Sequence, residues 1–185
     1  MTFDYPGYDL KFIQKRRCKD ASEHLFTLIF KFHSPITKYS YILSADYHKE
    51  DVFGVKFYAQ KDKRSDFKYN KIINKGDLGN ILVTCAKIIP ILLQNYPTAS
   101  FGFIGSRTVD ESSKKAEAYS NNQRFKIYRY IVSTKFGNQT FEHFEYEMIS
   151  GYLLVNKSNK EIEEKERAIV EMFTRTYNTL PDLTI

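Results

Sequence analysis

The residue types best suited to binding an anion occur at two places in the second half of the chain. A Gly-Ser-Arg turn follows a short apolar run and can offer backbone N–H groups, a hydroxyl and a guanidinium to a phosphate. A basic, periodic segment with one tyrosine follows further along. If the two approach each other, several cations converge on one cleft. The predicted anion ligands are Ser106, Arg107, Arg124, Lys126, Tyr128 and Arg129.

The same residues also have a purely structural interpretation. Arg107 could pair with a nearby carboxylate, Asp110 or Glu111, within an ordinary turn. Tyr128 could be a core ring whose hydroxyl is satisfied by a neighbour, since buried tyrosines usually find such a partner. The sequence leaves both interpretations open, and the spatial relation of Arg107 to Arg124 decides between them.

A second basic region lies between Lys56 and Lys75, which holds seven basic and two acidic residues with tyrosines and phenylalanines among them. Proteins that bind single-stranded nucleic acid combine cations with aromatic rings on which bases stack. The alternative is that the rings pack the sheet and the cations are solvated. The residues predicted to contact nucleic acid are Lys56, Lys61, Lys63, Arg64 and Lys68.

Other chemistry is indicated more weakly. Asp46 and His48 share one face at the end of a strand, and Glu50 of the following turn could join them. The group resembles an acid–base or metal site, although such groups at hairpin ends are usually solvated. The phosphate-binding, dinucleotide, zinc-helix and Cys-x-x-Cys motifs are absent from the sequence. We therefore predict no metal and no cofactor, and the sequence favours a binding protein over an enzyme.

The elements that must position these residues centre on an apolar helix over 77–95. Asp77 stands at the N-cap position, and apolar residues recur at helical spacing from Leu78 to Leu93. Pro90 should kink this helix or divide it in two, because proline lacks the N–H and crowds the preceding turn. A short buried strand, Phe101 to Gly105, follows the helix and leads to Ser106.

Alternating and periodic patterns predict the remaining elements. Four strands form an antiparallel meander within 8–59, namely 8–17, 24–33, 39–47 and 52–59. After the central helix we expect an exposed loop or short helix (109–122), a helix (123–136), a hairpin (140–148 and 152–155) and a last helix (159–177) opened by a capping box at 158–161. The predicted fold class is α+β: an antiparallel sheet of about six to seven strands packed against the central apolar helix, with two further helices.

Composition limits the class of protein. The 185 residues suit one domain, 1–185, with a net charge of +6 and 42% hydrophobic residues. The cysteines, Cys18 and Cys85, lack metal-ligand spacing and indicate reduced thiols in a cytoplasmic protein. The start of the chain is unlike a signal peptide, and Lys87, Pro90 and Gln94 interrupt the longest apolar run, so no membrane span is expected.

Four short motifs resemble a small bacterial domain family of unknown function that is frequent in Bacteroidetes. These motifs are Gly76-Asp77, Tyr96-Pro97, Gly105-Ser106 and the segment from Arg124 to Arg129. Members of that family have several strands, a Gly-Asp-capped helix ending in Tyr-Pro, a strand closing on Gly-Ser and a helix of pattern Arg-x-Arg-Leu-Tyr-Arg. Here Lys126 replaces an arginine, and 109–122 is an insertion. The resemblance spans roughly Tyr39 to Tyr152 and implies a fold unit without a known activity.

Three functions remain open from the sequence. The first is a cytoplasmic, non-enzymatic module that binds nucleic acid or a phosphorylated ligand, which the basic charge favours. The second is a small enzyme acting on nucleic acid or nucleotides, of the kind found in toxin–antitoxin or phage-defence systems. The third is a protein-interaction subunit that uses the acidic last helix or the 109–122 loop.

Overall fold

A computed structural model describes residues 5–71, 76–110 and 115–177. Its main feature is a seven-stranded sheet in the order β1-β2-β3-β4-β5-β9-β8. The strands are β1 (Lys11–Arg17), β2 (His24–Ser34), β3 (Tyr39–His48), β4 (Val52–Ala59), β5 (Ser100–Ile104), β8 (Phe141–Tyr146) and β9 (Gly151–Asn156). Two-residue strands, β6 (Val109–Asp110) and β7 (Lys115–Ala116), form a separate hairpin. The helices are α1 (Leu78–Ala86), α2 (Ile88–Leu93), α3 (Gln123–Lys135) and α4 (Ile162–Thr176).

The α+β class and the meander of β1 to β4 are confirmed. The sheet departs from the expected pattern at one place, because β4 and β5 pair in parallel, with Phe53 beside Phe101 and Val55 beside Phe103. Parallel neighbours need a crossover connection, and the chain from β4 to β5 includes α1 and α2. The predicted antiparallel sheet is therefore mixed at its centre.

The two faces of the sheet are covered differently. The inner face carries a large hydrophobic cluster in which Phe30, Leu43 and Phe101 join buried side chains of α1, α2 and α3. On the opposite, outer face, α4 contributes Ile169 and Met172 to a smaller cluster with residues of β4 and β9. Because α4 packs on β4 and β9, it leaves most of the outer face of β1 to β3 uncovered. β1 is an edge strand, and all seven of its residues are exposed.

The central helix is divided into two helices, one of the two outcomes predicted from Pro90, with the break at Lys87. Pro90 explains where the break falls. Its missing N–H would have bonded to the carbonyl of Ala86, and its ring crowds that same carbonyl. Ala86 is the last residue of α1, so the disruption acts one turn before the proline itself.

Asp77 lies at the N-cap of α1 but does not cap it with its side chain. The buried carboxylate instead accepts hydrogen bonds from Tyr8 Oη at 2.7 Å, from Asn80 Nδ2 at 2.9 Å and from Ser34 Oγ. Three donors compensate a buried carboxylate for its lost hydration. Asp77 thus ties the N-terminal segment and β2 to the start of α1.

Helix α3 begins as its sequence predicts and buries the predicted stripe of Phe125, Tyr128 and Val132. Asn122 is its N-cap, and its Oδ1 accepts from the Phe125 N–H at 2.9 Å. Gly105 packs against this cap so closely that an added Cβ would lie 2.7 Å from Asn122 Oδ1 and 2.9 Å from the Phe125 nitrogen. The end of β5 is therefore joined to the start of α3, and glycine is required at their junction.

The last helix differs from the prediction at its start. Helix α4 begins at Ile162 after Glu161, which makes no side-chain cap, so the predicted capping box is wrong. The reason is Asn156 at the end of β9, whose Oδ1 accepts from the Ser158 N–H at 3.0 Å and holds that segment in a turn. Across the described ranges, none of the helices combines the length and apolar character that crossing a bilayer requires.

Candidate functional site

Arg124, the central residue of the predicted anion site, is a buried structural residue. Its guanidinium donates to the backbone carbonyls of Tyr69, through Nη1, and Lys71, through Nη2 at 2.5 Å. Burial lowers the pKa of Arg124 from its ordinary value. The side chain therefore anchors the connector that follows β4, here residues 60–71, to the first turn of α3.

The other predicted anion ligands point in different directions. Arg129 forms ion pairs with Glu145 at 3.3 Å and Glu147 at 3.0 Å, while Lys126 is exposed. Tyr128 is a core ring 5.8 Å from Phe103, and burial raises its pKa well above the ordinary value. Helical periodicity explains the divergence, because positions two residues apart lie on opposite sides of α3.

The predicted turn after β5 adjoins the start of α3, but its arginine side chain has a partner of its own. Arg107 stacks over the Tyr119 ring at 4.1 Å, and its carbonyl accepts from Asn70 Nδ2 at 3.1 Å. Ser106 is half-buried beside it. The predicted convergence of Arg107, Arg124 and Arg129 on one anion cleft is therefore not found, because two of the three guanidinium groups bind protein oxygens.

The predicted nucleic-acid residues divide into two groups. Lys56 and Lys68 lie together on the outer face, with their Nζ atoms 5.7 Å and 5.2 Å from the centre of the Tyr69 ring. The second group lies on the connector. Lys61 lies over the Tyr39 ring at 4.1 Å, at the end of the sheet, and Lys63 and Arg64 are exposed.

Strand pairing adds cations that the predicted patch did not include. Lys11 pairs with Lys31, Arg16 with Thr27 and Ser44 with Lys56, so these side chains share the outer face. The charge-rich segment Lys11 to Lys19 was visible in the sequence, but the register that aligns it with β4 was not. We call the five outer-face cations the basic face: Lys11, Arg16, Lys31, Lys56 and Lys68.

At one end of the basic face lies a buried carboxylate, Asp46, whose side chain is 4% exposed. Thr27 Oγ1 donates to Asp46 Oδ1 at 2.6 Å, and Lys56 Nζ lies 2.6 Å from Oδ2. His24 Nε2 is 3.6 Å from Oδ1. Among the outward positions of strands β1 to β4, Asp46 is the single acid. We call His24, Thr27, Asp46 and Lys56 the polar cluster.

A second histidine closes the polar cluster on the side of α4. The rings of His24 and His48 stack with centroids 5.1 Å apart, and His48 Nε2 lies 2.7 Å from Tyr177 Oη. Burial, with the neighbouring His24, lowers the pKa of His48 to about 4, and burial also raises the pKa of Tyr177. Sequence reasoning grouped Asp46 with His48 but gave no functional role to His24 or Tyr177.

The third residue of the predicted acid–base or metal group lies elsewhere. Glu50 forms an ion pair with Lys165 of α4 at 3.2 Å, on the far side of the hairpin turn. Within the ranges that the structure describes, no set of three or more His, Cys, Asp or Glu side chains is arranged to hold a metal ion.

A small pocket opens between the basic face and α3. Its lining includes Tyr58, Lys68, Tyr69, Lys71 and Arg124. Its volume of about 10 Å³ is room for roughly one water molecule, which is far too little for a nucleotide. An anionic ligand on this side of the molecule would lie along the sheet surface rather than inside this pocket.

Comparisons with known proteins give no relative. No protein-family model matches the chain, and neither the curated proteins nor the solved structures compared with it include a match. The resemblance to the bacterial family through Gly76-Asp77, Tyr96-Pro97, Gly105-Ser106 and the start of α3 stays a prediction. Function must be argued from the geometry of this chain alone.

Proposed function

We propose that the protein binds single-stranded nucleic acid along the basic face. The observation that carries this proposal is the register of β1 to β4, which places Lys11, Lys31 and Lys56 on one side of the sheet. Clustered cations on one face are the electrostatic footprint of a polyanion partner. Asp46 offsets part of this charge, but it is already paired with Lys56 and is almost inaccessible.

The dimensions of the face suit a chain rather than a single phosphate. Neighbouring strands lie about 4.8 Å apart, so β1 to β4 spans about 15 Å. A ligand that contacts Lys11 at one side and Lys68 at the other must therefore carry several negative charges along its length. A strand of a few nucleotides meets this requirement, whereas a lone phosphate would contact one or two cations.

The surface also favours a single strand over a duplex. Sheet-based binders present aromatic rings and cations to unpaired bases, whereas a duplex is usually read by an element that enters a groove. Tyr58 is only 9% exposed, so base stacking would fall mainly to Tyr69, which is half-buried beside Lys68. Stacking on one ring contributes about 1–3 kcal/mol, and the phosphate contacts would supply the remaining affinity.

The test is the salt dependence of binding, measured by fluorescence anisotropy with a labelled single-stranded oligonucleotide. The basic face has five cations that can contact phosphates, because Lys56 keeps ammonium hydrogens free although it is paired with Asp46. Five contacts to a single strand correspond to a slope of log K against log salt of about −3.5. The double variant Lys11→Gln/Lys31→Gln should reduce the slope to about −2.1.

A matched control removes the same charge from another surface. The double variant Lys126→Gln/Lys135→Gln changes two exposed lysines of α3 and should leave the slope near that of the parent protein. Binding that does not respond to salt would refute the proposal. A slope that changes only in the α3 variant would move the binding surface to the residues first predicted around Arg124.

A further inference from the structure

We infer that the polar cluster is an acid–base site that cleaves RNA held on the basic face by attack of a ribose 2′-hydroxyl on the adjacent phosphodiester. This inference rests on the proposed binding function and adds a reaction to it. Arg16 pairs with Thr27, and Lys56 contacts Asp46, so the cations that would bind a phosphate adjoin His24.

The contacts of His24 determine which of its nitrogens can act as a base. Nε2 lies 3.1 Å from the Phe26 carbonyl oxygen and 3.1 Å from Thr27 Oγ1. A carbonyl can only accept, so the proton of the neutral ring is on Nε2 and the lone pair is on Nδ1. The His24 side chain is 19% exposed, which makes it the member of the His–Asp pair that a substrate can reach.

Thr27 and Asp46 serve as positioning residues in this arrangement. The Thr27 hydroxyl donates to Asp46 at 2.6 Å and is thereby oriented to accept from His24 Nε2. The Asp46 carboxylate lies 3.6 Å from Nε2, where its negative charge can pair with the imidazolium that forms when the base takes a proton. Asp46 itself, with both oxygens engaged and 4% exposure, is not the base.

Lys56 supplies the charge that the reaction needs. Its side chain is 43% exposed although Nζ lies 2.6 Å from Asp46, so its remaining ammonium hydrogens can bind non-bridging phosphoryl oxygens. Cations at that place stabilise the extra negative charge of the pentacoordinate transition state. Arg16, exposed on the neighbouring strand, can contact the same phosphate.

The step balances without a co-reactant. His24 Nδ1 takes the 2′-hydroxyl proton, the 2′-oxygen forms a bond to phosphorus, and the bond from phosphorus to the 5′-oxygen breaks. The leaving 5′-oxygen takes a proton from water, and the protonated His24 returns its proton to the hydroxide so formed. The products are a 2′,3′-cyclic phosphate and a 5′-hydroxyl. DNA, which lacks the nucleophile, binds without being cleaved.

The test follows binding and cleavage separately with one end-labelled oligoribonucleotide and its all-deoxy counterpart. We expect the parent protein to bind both and to cleave only the RNA, leaving a 2′,3′-cyclic phosphate. His24→Gln should slow cleavage by about 100-fold or more, the usual effect of removing a general base, at unchanged affinity. His33→Gln, an exposed histidine at the far end of β2, is purified in parallel and should cleave as the parent does.

Each outcome has a distinct meaning. RNA that is bound but not cleaved by the parent protein overturns the acid–base site and leaves the binding function standing. Cleavage that survives His24→Gln at the parent rate overturns it too and indicates a contaminating nuclease. Should His24→Gln fail to fold, Thr27→Val must instead lower the cleavage rate with unchanged affinity. Absence of binding to either oligonucleotide overturns the binding function and this site together.

Discussion

The sharpest prediction concerns Arg124, for which the sequence and the structure assign different roles. If Arg124 is an anion ligand, its removal should weaken binding and leave the fold intact. If Arg124 is an anchor, its removal should destabilise the protein, because the carbonyls of Tyr69 and Lys71 lose their donors. The substitution Arg124→Met removes the guanidinium and keeps a long, flexible, apolar stem.

The expected loss follows from the two contacts. A hydrogen bond to a charged group contributes about 1.5–3 kcal/mol, and removing a buried charge recovers part of its desolvation cost. We therefore expect Arg124→Met to lower the free energy of unfolding by about 2–4 kcal/mol. Urea unfolding followed by circular dichroism measures this loss. Lys126→Met, on the same helix but exposed, should stay within about 0.5 kcal/mol of the parent.

Hydrogen exchange locates the effect. Besides Arg124, the connector has tertiary side-chain contacts such as Asn70 Nδ2 to the Arg107 carbonyl at 3.1 Å. Its backbone hydrogen bonds are short-range turns, such as the Ser65 N–H to the Asp62 carbonyl at 2.9 Å and the Asn70 N–H to the Phe67 carbonyl at 2.8 Å. Such local bonds open easily without a tertiary anchor. Amides of residues 60–71 should exchange faster in Arg124→Met than in the parent protein, and this increase should exceed any increase in the sheet. A stability loss under about 1 kcal/mol with unchanged exchange would refute the anchoring role.

Three further predictions concern stability. Gly105→Ala should lower the free energy of unfolding by about 1–3 kcal/mol, because the added Cβ clashes with the α3 cap. Gly137→Ala is the control and should not destabilise the protein, since its Cβ would meet no atom within 4 Å. Equal shifts of the melting temperature in the two variants would contradict this. The pKa of His48 is lowered to about 4 by burial, so as the pH falls His48 takes up a proton at a higher pH in the unfolded chain than in the folded protein. Stability should be full above about pH 6.5 and fall by about 3 kcal/mol towards pH 4, and His48→Gln should flatten that curve in urea titrations. Ser34→Ala removes one donor to the buried Asp77 and should cost about 1–2 kcal/mol by calorimetry, while an unchanged melting temperature would show that the contact is dispensable.

The sequence was most informative where a pattern is local. Alternation located β2 to β4, and the helical spacing around Phe125 identified the buried side of α3, because both patterns reflect burial of neighbouring residues. Alternation also located β1, although all seven of its residues are exposed. Pro90 indicated the break in the central helix since its effect reaches only one turn. The capping box failed because Asn156, outside the motif, holds the segment in a turn.

The candidate site could not be predicted because it depends on pairing and on long-range contacts. The basic face exists only through the register of β1 against β2, which includes a shift between Phe12 and Gln14. His48 and Tyr177 are 129 residues apart, and no spacing rule joins them. Arg124 was predicted to be an anion ligand, but its partners are backbone carbonyls, and these leave no trace in residue types.

The exposed edge strand β1 has a consequence for the behaviour of the protein in concentrated solution. An unpaired strand edge is a template on which a second chain can add its own strand and begin a fibril. Here Lys11, Lys15, Arg16 and Arg17 occupy that edge, and two copies brought side by side would place like charges against each other. The charges at this edge thereby oppose self-association and guard the protein against aggregation, whatever ligand the sheet receives.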